Sequence, residues 1–353
     1  MEKTIAIGDF LLSESSPAFI VAEAACNHMC RLDLARQLID KAVEAGATAI
    51  KFQTYKAEKL VLKSAQAYWN HPGVSTTSQF EYYKNLDRFG ARDYESLFGY
   101  AKERGLIAFS TPFDLDSATL LNELGVPLFK IASSDLPDLR LLRHISRFGK
   151  PMILSTGGSR IEEIERAIKT AQDAGQKDLV LMVCTMCYPT QNRDAHLKRI
   201  RTLKGHFPDC FIGLSDHTLP DPSMIIPALA VAIGAKVIEK HYTLDRSMTG
   251  SGHANSVNPS DLKKMVENIR LAETVLGSPE VGILKCEEAA RQNARRSLVS
   301  ERLIRSGEKI SDADIGIKRP GMGLPADRID EVIGKIAKKD IEADQPIEID
   351  VLE

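Results

Sequence analysis

Eight short apolar runs in this chain end in polar residues whose types suit chemistry on a small, charged molecule. The first ends in Glu23 and continues to Asn27 and His28, the second supplies Lys51 and Gln53, and the third closes on Ser110, Thr111 and Pro112. Lys130 and Ser133 end the fourth, and Ser155, Thr156 and Gly157 the fifth. Thr185 and Tyr188 follow the sixth, Ser215, Asp216 and His217 the seventh, and Glu239, Lys240 and His241 the eighth. Extended residues two apart point the same way, so Lys51 travels with Gln53, Ser215 with His217, and Glu239 with His241. Any one such pair could be a satisfied polar layer inside a barrel. Eight coincident polar ends argue instead for a site.

The residue types narrow the chemistry. Two lysines supply point charge, and the hydroxyls of Thr111, Ser133 and Ser215 supply direction, which suits a small phosphate ester. Neither G-x-x-x-x-G-K-[ST] nor G-x-G-x-x-G occurs, so a nucleotide is not indicated. His217 and His241 could share one divalent metal, with water or substrate in the open positions; a pair of core histidines is the plain alternative. The six cysteines (Cys26, Cys30, Cys184, Cys187, Cys210 and Cys286) are too few for a disulfide scaffold in 353 residues and read as reduced thiols. A zinc or iron-sulfur site would need the separate C-x3-C and C-x2-C pairs to converge, and within one strand Cys184 and Cys187 would face opposite sides.

The elements that must position these residues follow from periodicity. From Phe19 to about Leu276 the runs FIVAEA, TAIKFQ, IAFSTP, LFKIAS, MILSTG, LVLMVCT, FIGLSD and KVIEKHY alternate with amphipathic segments, several ending in glycine. Eight strands alternating with helices predict an α/β fold, a closed (β/α)8 TIM barrel over residues 1–278, with the reactive groups at the C-terminal ends of its strands. The stretch from Lys56 to Lys84 is too long for a simple connection and holds the one tryptophan; it reads as an active-site insertion or lid. After a linker at 279–288 the pattern changes to short strands and turns, predicting a second unit over 289–353. Lys and Arg number 46 against 48 Asp and Glu, a net charge of −2, which gives no surplus for nucleic acid or an anionic membrane. The N-terminal residues lack a signal-peptide pattern and no apolar stretch is long enough to span a bilayer, so a soluble, cytoplasmic protein is expected.

AEAACNH, KFQTYKAEKL, FSTPFD, FKIASSDL, ILSTGG, CTMCYPT, GLSDHT, VIEKHYTLDRSMTG and, near the end, ARRSL, SGEKI and RPGMGL resemble the sialic acid synthases, in order and over nearly the whole chain. The resemblance implies a (β/α)8 barrel followed by a C-terminal antifreeze-like (SAF, β-clip) domain. It implies condensation of phosphoenolpyruvate with an N-acylated amino sugar, giving a nonulosonic acid and phosphate, in a homodimer whose SAF domains are swapped. Carried over by position, phosphoenolpyruvate contacts fall on Lys51, Gln53, Thr111, Lys130, Ser133 and Ser215, with Ser155 a further substrate contact. Sugar contacts fall on Glu23, Tyr188 and Arg319, the last from the partner subunit. Metal ligands fall on His217 and His241, for Mn2+ ahead of Mg2+ or Co2+. Three positions depart from the family: Met186 where Asn or Ser is usual, Gly252 where an aspartate reads sugar hydroxyls, and Cys30 where the first motif has glycine.

The implied mechanism has a metal-polarised aldehyde attacked by C3 of phosphoenolpyruvate, with Lys51 and Lys130 stabilising the phosphate. Glu23 or Glu239 could position the water or the sugar, and His253 could fill the room beside Gly252. N-acetylmannosamine is the simplest acceptor, with di-N-acylated 6-deoxy sugars, as in legionaminate- or pseudaminate-type synthesis, as alternatives. Two rivals stand beside this reading: a Schiff-base aldolase using Lys130 or Lys240, and a binding protein that has lost catalysis.

Overall fold

The structure, a computed structural model, describes residues 3–69 and 74–353. Asn70, His71, Pro72 and Gly73, inside the predicted insertion, lie outside the described residues. The chain divides into two compact units, Met1–Gly277 and Ser278–Glu353.

The first unit opens with a hairpin absent from the sequence reading, β1 (Thr4–Ile7) and β2 (Phe10–Ser13), paired from Thr4↔Ser13 to Ile7↔Phe10. Its strands are only four residues long, too short for their alternation to stand out. Ile5, Ile7 and Leu12 join the core, and Phe10 packs edge-on against Phe19, the first residue of the next strand, at 5.1 Å. The hairpin therefore covers the N-terminal ends of the barrel strands.

The eight predicted strands all form. They are β3 (Phe19–Ala25), β4 (Ala49–Thr54), β5 (Ile107–Pro112), β6 (Phe129–Ile131), β7 (Met152–Ser155), β8 (Leu179–Cys184), β9 (Phe211–Asp216) and β10 (Val237–His241). They make one parallel sheet in the order β5-β4-β3-β10-β9-β8-β7-β6, a TIM-like (β/α)8 arrangement. The β5 and β6 edges lie side by side without a hydrogen-bonded ladder between them. Strands such as FIVAEAA and LVLMVC are buried along their whole length, as a sheet covered on one face by helices and filled on the other by its own side chains requires.

Among the described residues ten helices surround or connect the strands: α1 (Leu32–Glu44), α2 (Ala57–Leu60), α3 (Gln79–Leu86), α4 (Ala91–Glu103), α5 (Leu115–Glu123), α6 (Leu139–Ser146), α7 (Ile161–Asp173), α8 (Arg199–His206), α9 (Ile225–Ala232) and α10 (Pro259–Leu276). Local chemistry sets their ends. Asp114 accepts from the Ser117 N–H, Asp138 accepts from Arg140 and Leu141, and Asn258 accepts from Asp261 ahead of Pro259 at the first position of α10. Gly46, Gly105, Gly125 and Gly175 follow α1, α4, α5 and α7 with φ of 80°, 72°, 75° and 101°, conformations that side chains resist. Helix α8 was not anticipated, because RIRTLKGH is mostly polar and buries only Ile200 and Leu203.

In the second unit α11 (Glu288–Ala294) precedes an antiparallel pair, β11 (Ser297–Ser300) and β12 (Ile315–Lys318). Isolated bridges such as Ile304↔Ile341 and Lys309↔Ile336 tie its turns around a small core including Leu298, Ile304, Val332 and Ile347. No helix among the described residues is long and apolar enough to cross a membrane.

Candidate active site

Register brings the strand-end residues together. Glu23 pairs with Lys51 across β3 and β4, Gln53 with Thr111 across β4 and β5, Glu239 with Ser215 across β10 and β9, and His241 with Glu23 across β10 and β3. A bulge shifts the register between Glu23 and Ala25, and Ala25, at φ 47°, ends β3.

The result is a buried charge network. Lys51 Nζ lies 2.8 Å from Glu23 Oε2, donates to Thr111 Oγ1 at 2.7 Å and sits 3.8 Å from Glu239 Oε2. Lys130 Nζ lies 3.6 Å from Glu239 Oε1, which also accepts from Ser215 Oγ at 2.8 Å. Gln53 Nε2 donates to Glu23 Oε1 at 3.1 Å. Burial pushes the Glu23 carboxyl above the usual carboxylate range in spite of Lys51, and Glu239 adds to the rise. Burial acts on Glu239 in the same direction, but Lys130, Lys51 and the Ser215 hydroxyl outweigh it and hold it below that range. Lys51 and Lys130 thus both face Glu239, the carboxyl held most firmly ionised, although burial lowers Lys130 from its ordinary value in spite of Glu239.

The hydroxyls are held differently. Ser133 Oγ accepts from the Gly157 N–H at 3.0 Å, whereas Ser155 is buried with no hydrogen-bond partner for its Oγ. Gly157 is required here: a Cβ would come within 2.8 Å of Ser133 Oγ and 2.9 Å of Met186 Cγ. Thr156 is spent on the Met182 carbonyl.

His217 and His241 face each other with ring centroids 5.2 Å apart, and Tyr188 packs on His217 at 4.3 Å. His217 Nδ1 contacts the Thr185 carbonyl at 2.9 Å; a carbonyl can only accept, so Nδ1 carries a proton and Nε2 is the nitrogen left for a metal, while burial, which lowers this ring, is outweighed by Cys184 and the Thr185 carbonyl, which raise it above its ordinary value. Burial, followed by the charges of His217 and Lys51, holds His241 well below its ordinary value and therefore neutral. The pair fits a divalent ion. Among the described residues no group of three or more His, Cys, Asp or Glu side chains is arranged to hold one, so such an ion would complete its shell with water and substrate oxygens.

Above the network lies a cavity of about 210 Å3. Gln53, Ser133, Tyr188 and His241 reach it from the predicted set. Sequence reasoning missed much of its wall: Tyr55, Tyr82, Tyr83 and Phe113, with Ser251 and Asn255. The adjacent tyrosines in QFEYYK were the one available signal, since aromatic residues in a polar insertion need a surface to cover. Of the predicted insertion, Tyr68, Trp69, Tyr82 and Tyr83 line the cavity.

Several expected residues lie elsewhere. His28 turns into the core, stacked on Phe89 at 4.5 Å, with Nδ1 accepting from the Cys30 N–H. His253 does not fill the room beside Gly252: it is fully buried, with its Nδ1 2.7 Å from Thr243 Oγ1. Asn27 does line the cavity, and its side-chain amide also ties the loop to the Tyr242 carbonyl and Ser256. Lys240 is no nucleophile for the cavity, because it projects from the outer side of β10 onto Asp216 at 2.6 Å and the Thr218 carbonyl at 2.7 Å. The six cysteines are free thiols, and Cys187 lies beyond the end of β8 instead of within a strand. Arg319 is exposed on the second unit.

Comparison with known proteins places this geometry. Residues 38–281 match the NeuB family and residues 295–353 the SAF domain. An uncharacterized protein of Methanocaldococcus jannaschii is 41% identical over 98% of both chains. The N,N'-diacetyllegionaminic acid synthase of Campylobacter jejuni is 37% identical, covering 93% of this chain and 98% of its own. Among solved structures, the N-acetylneuraminic acid synthetase of Leptospira borgpetersenii, crystallised with citrate, superimposes with a TM-score of 0.73 at 33% identity, covering 82% of this chain and 95% of its own.

Proposed function

Since the chain belongs to the NeuB family and carries a SAF domain, we propose that it condenses phosphoenolpyruvate with an N-acylated amino sugar to give a nonulosonic acid and phosphate. The observation that carries this reading is the placing of Lys51 and Lys130 around Glu239, beneath a cavity that His241 lines with His217 beside it.

In the reaction, C3 of phosphoenolpyruvate bonds to the sugar aldehyde carbon, whose oxygen takes up a proton. Water adds to the resulting cation at C2, and the C2–O bond to phosphate breaks as the 2-keto acid forms. Lys51 and Lys130 hold the phosphate and offset its charge through the sequence. Ser133, Ser155 and Ser215 orient its oxygens. Glu23, the carboxyl that burial keeps readiest to hold a proton, gives that proton to the aldehyde oxygen and takes one back from the attacking water. A divalent ion on His217 and His241, Mn2+ by preference, would supply Lewis-acid polarisation of the aldehyde oxygen. Arg319 of the partner subunit completes the sugar site in a homodimer, and we place the enzyme in the cytoplasm, where phosphoenolpyruvate is made.

The test is phosphate release from phosphoenolpyruvate with Mn2+ and a panel of N-acylated amino sugars. Sugar-dependent release that stops on chelation is expected. Full activity after chelation, or a borohydride-trapped pyruvate adduct on Lys130, would overturn the reading in favour of an aldolase.

A further inference from the structure

A second cavity, of about 820 Å3, opens at the N-terminal ends of the strands, opposite the mouth that holds the lysines. Three parts of the chain wall it: the turn between β1 and β2, one face of α4, and the residues leading into β5 and β6. A Cβ on Gly8 of that turn would lie 3.8 Å from Pro127 and 3.9 Å from Ile107, so the turn sits over the lower ends of both strands.

The face of α4 has a bare centre. Glu95, Phe98, Gly99 and Lys102 follow the i, i+3, i+4, i+7 spacing of one helix face, and all four line the cavity. Glycine inside a helix is less stable than alanine, yet packing does not require this one, because a Cβ on Gly99 would meet nothing within 4 Å. What the glycine does is leave open space between Glu95 and Lys102. Phe98, and Phe10 from the turn, add partly exposed rings. The charges are unspent: Asp9, Glu95 and Lys102 share the cavity and are exposed, and their side chains make no hydrogen bond or ion pair with any described residue.

We propose that this cavity binds an organic ammonium ion carried on a flat apolar body, the cation held by Asp9 and Glu95 and the body laid over Gly99 against Phe98 and Phe10. Two carboxylates against one lysine favour a cation, and the rings attract it further while the apolar body gains by leaving water. A carboxylate on the same ligand would be received by Lys102. Occupancy has an effect at the other mouth, and this part rests on the synthase reading above. β5 and β6 run from the cavity to Thr111 and Lys130, so a ligand that restrains their lower ends leaves less order to be imposed when phosphoenolpyruvate binds. The KM for phosphoenolpyruvate should fall about fivefold at saturation.

Titration calorimetry on the full chain compares three probes of one size: phenethylamine, L-phenylalanine and hydrocinnamate. Phenethylamine should bind with a Kd of about 1 mM or tighter, and hydrocinnamate, which lacks the ammonium, about fivefold more weakly. L-phenylalanine should bind at least as well as phenethylamine; weaker binding overturns the part given to Lys102. Gly99→Leu, which fills the open space, should abolish the heat of binding without lowering the unfolding midpoint. Asp9→Asn combined with Glu95→Gln should weaken phenethylamine about fivefold. No heat with any probe, or binding that Gly99→Leu leaves intact, overturns the site, and equal binding of phenethylamine and hydrocinnamate overturns the role of the carboxylates. None of these titrations involves turnover, so they decide the site whether or not the synthase reading holds. An unchanged KM with the cavity occupied overturns the coupling.

Discussion

Lys240 Nζ and Asp216 Oδ2 form a buried ion pair, 2.6 Å apart, on the outer side of the same strands that turn Ser215 and Glu239 inward. Asp216 also accepts from the Thr218 N–H and hydroxyl, so the pair fixes the backbone on either side of His217. Removing one partner strands a buried charge. Lys240→Met should therefore cost about 3–5 kcal/mol of stability, measured by urea unfolding, and adding Asp216→Asn should recover part of it. A loss of under about 1 kcal/mol for Lys240→Met would show that the pair does not lock these strand ends.

His28 makes stability depend on pH. Burial holds its imidazole down at about 3 in the folded chain, against 6.5 as the ordinary value. Between those values the unfolded chain binds a proton that the folded chain does not, so stability falls as pH drops below 6.5. The slope from this group is about 1.4 kcal/mol per pH unit down to the folded value, and it is flat above 6.5. A His28→Phe variant keeps the stacking surface toward Phe89 and lacks the titration. Wild type should lose stability relative to the variant as pH falls from 7 to 5; parallel pH curves would refute the assignment.

Much of this was legible in sequence because strand alternation and burial act locally. The eight strand ends, and the same-side pairs Lys51/Gln53, Ser215/His217 and Glu239/His241, follow from period-two geometry; that Glu239 meets Ser215 across strands is a matter of register. The aromatic wall was not legible, because Tyr55 and Phe113 come from loops and Tyr82 from the short helix α3, whose directions are set by packing against one another. His253 misled for a related reason: Thr243 competes for its ring, and composition does not reveal such a competitor.

Gly157 and Gly252 make a controlled contrast. Gly157→Ala must push aside Ser133 Oγ, Met186 Cγ and the Cys184 carbonyl, all within 3.1 Å of the new Cβ, and should cost about 1–3 kcal/mol along with most phosphate release. Gly252→Ala, with no atom within 4 Å, should leave the unfolding midpoint unchanged. Thermal unfolding of the two proteins decides the matter, and equal losses would contradict the packing around Gly157.

Arg319 gives a test of shared sites. Arg319→Ala should raise the sugar KM more than that of phosphoenolpyruvate. In the swapped dimer proposed above, an equal mixture of Arg319→Ala and Lys51→Met chains, unfolded and refolded together, should regain about a quarter of the sites, because half the dimers are mixed and each mixed dimer holds one intact site. No recovery would place Arg319 and Lys51 of each working site in one chain.

The open seam of the barrel has a consequence of its own. β5 and β6 meet without a ladder, yet Thr111 stands at the end of one and Lys130 on the other. A phosphate gripped by both would act as a clasp, supplying across the gap the cohesion that backbone amides supply everywhere else around the ring. Substrate would then be a structural component of the barrel for as long as it stays bound.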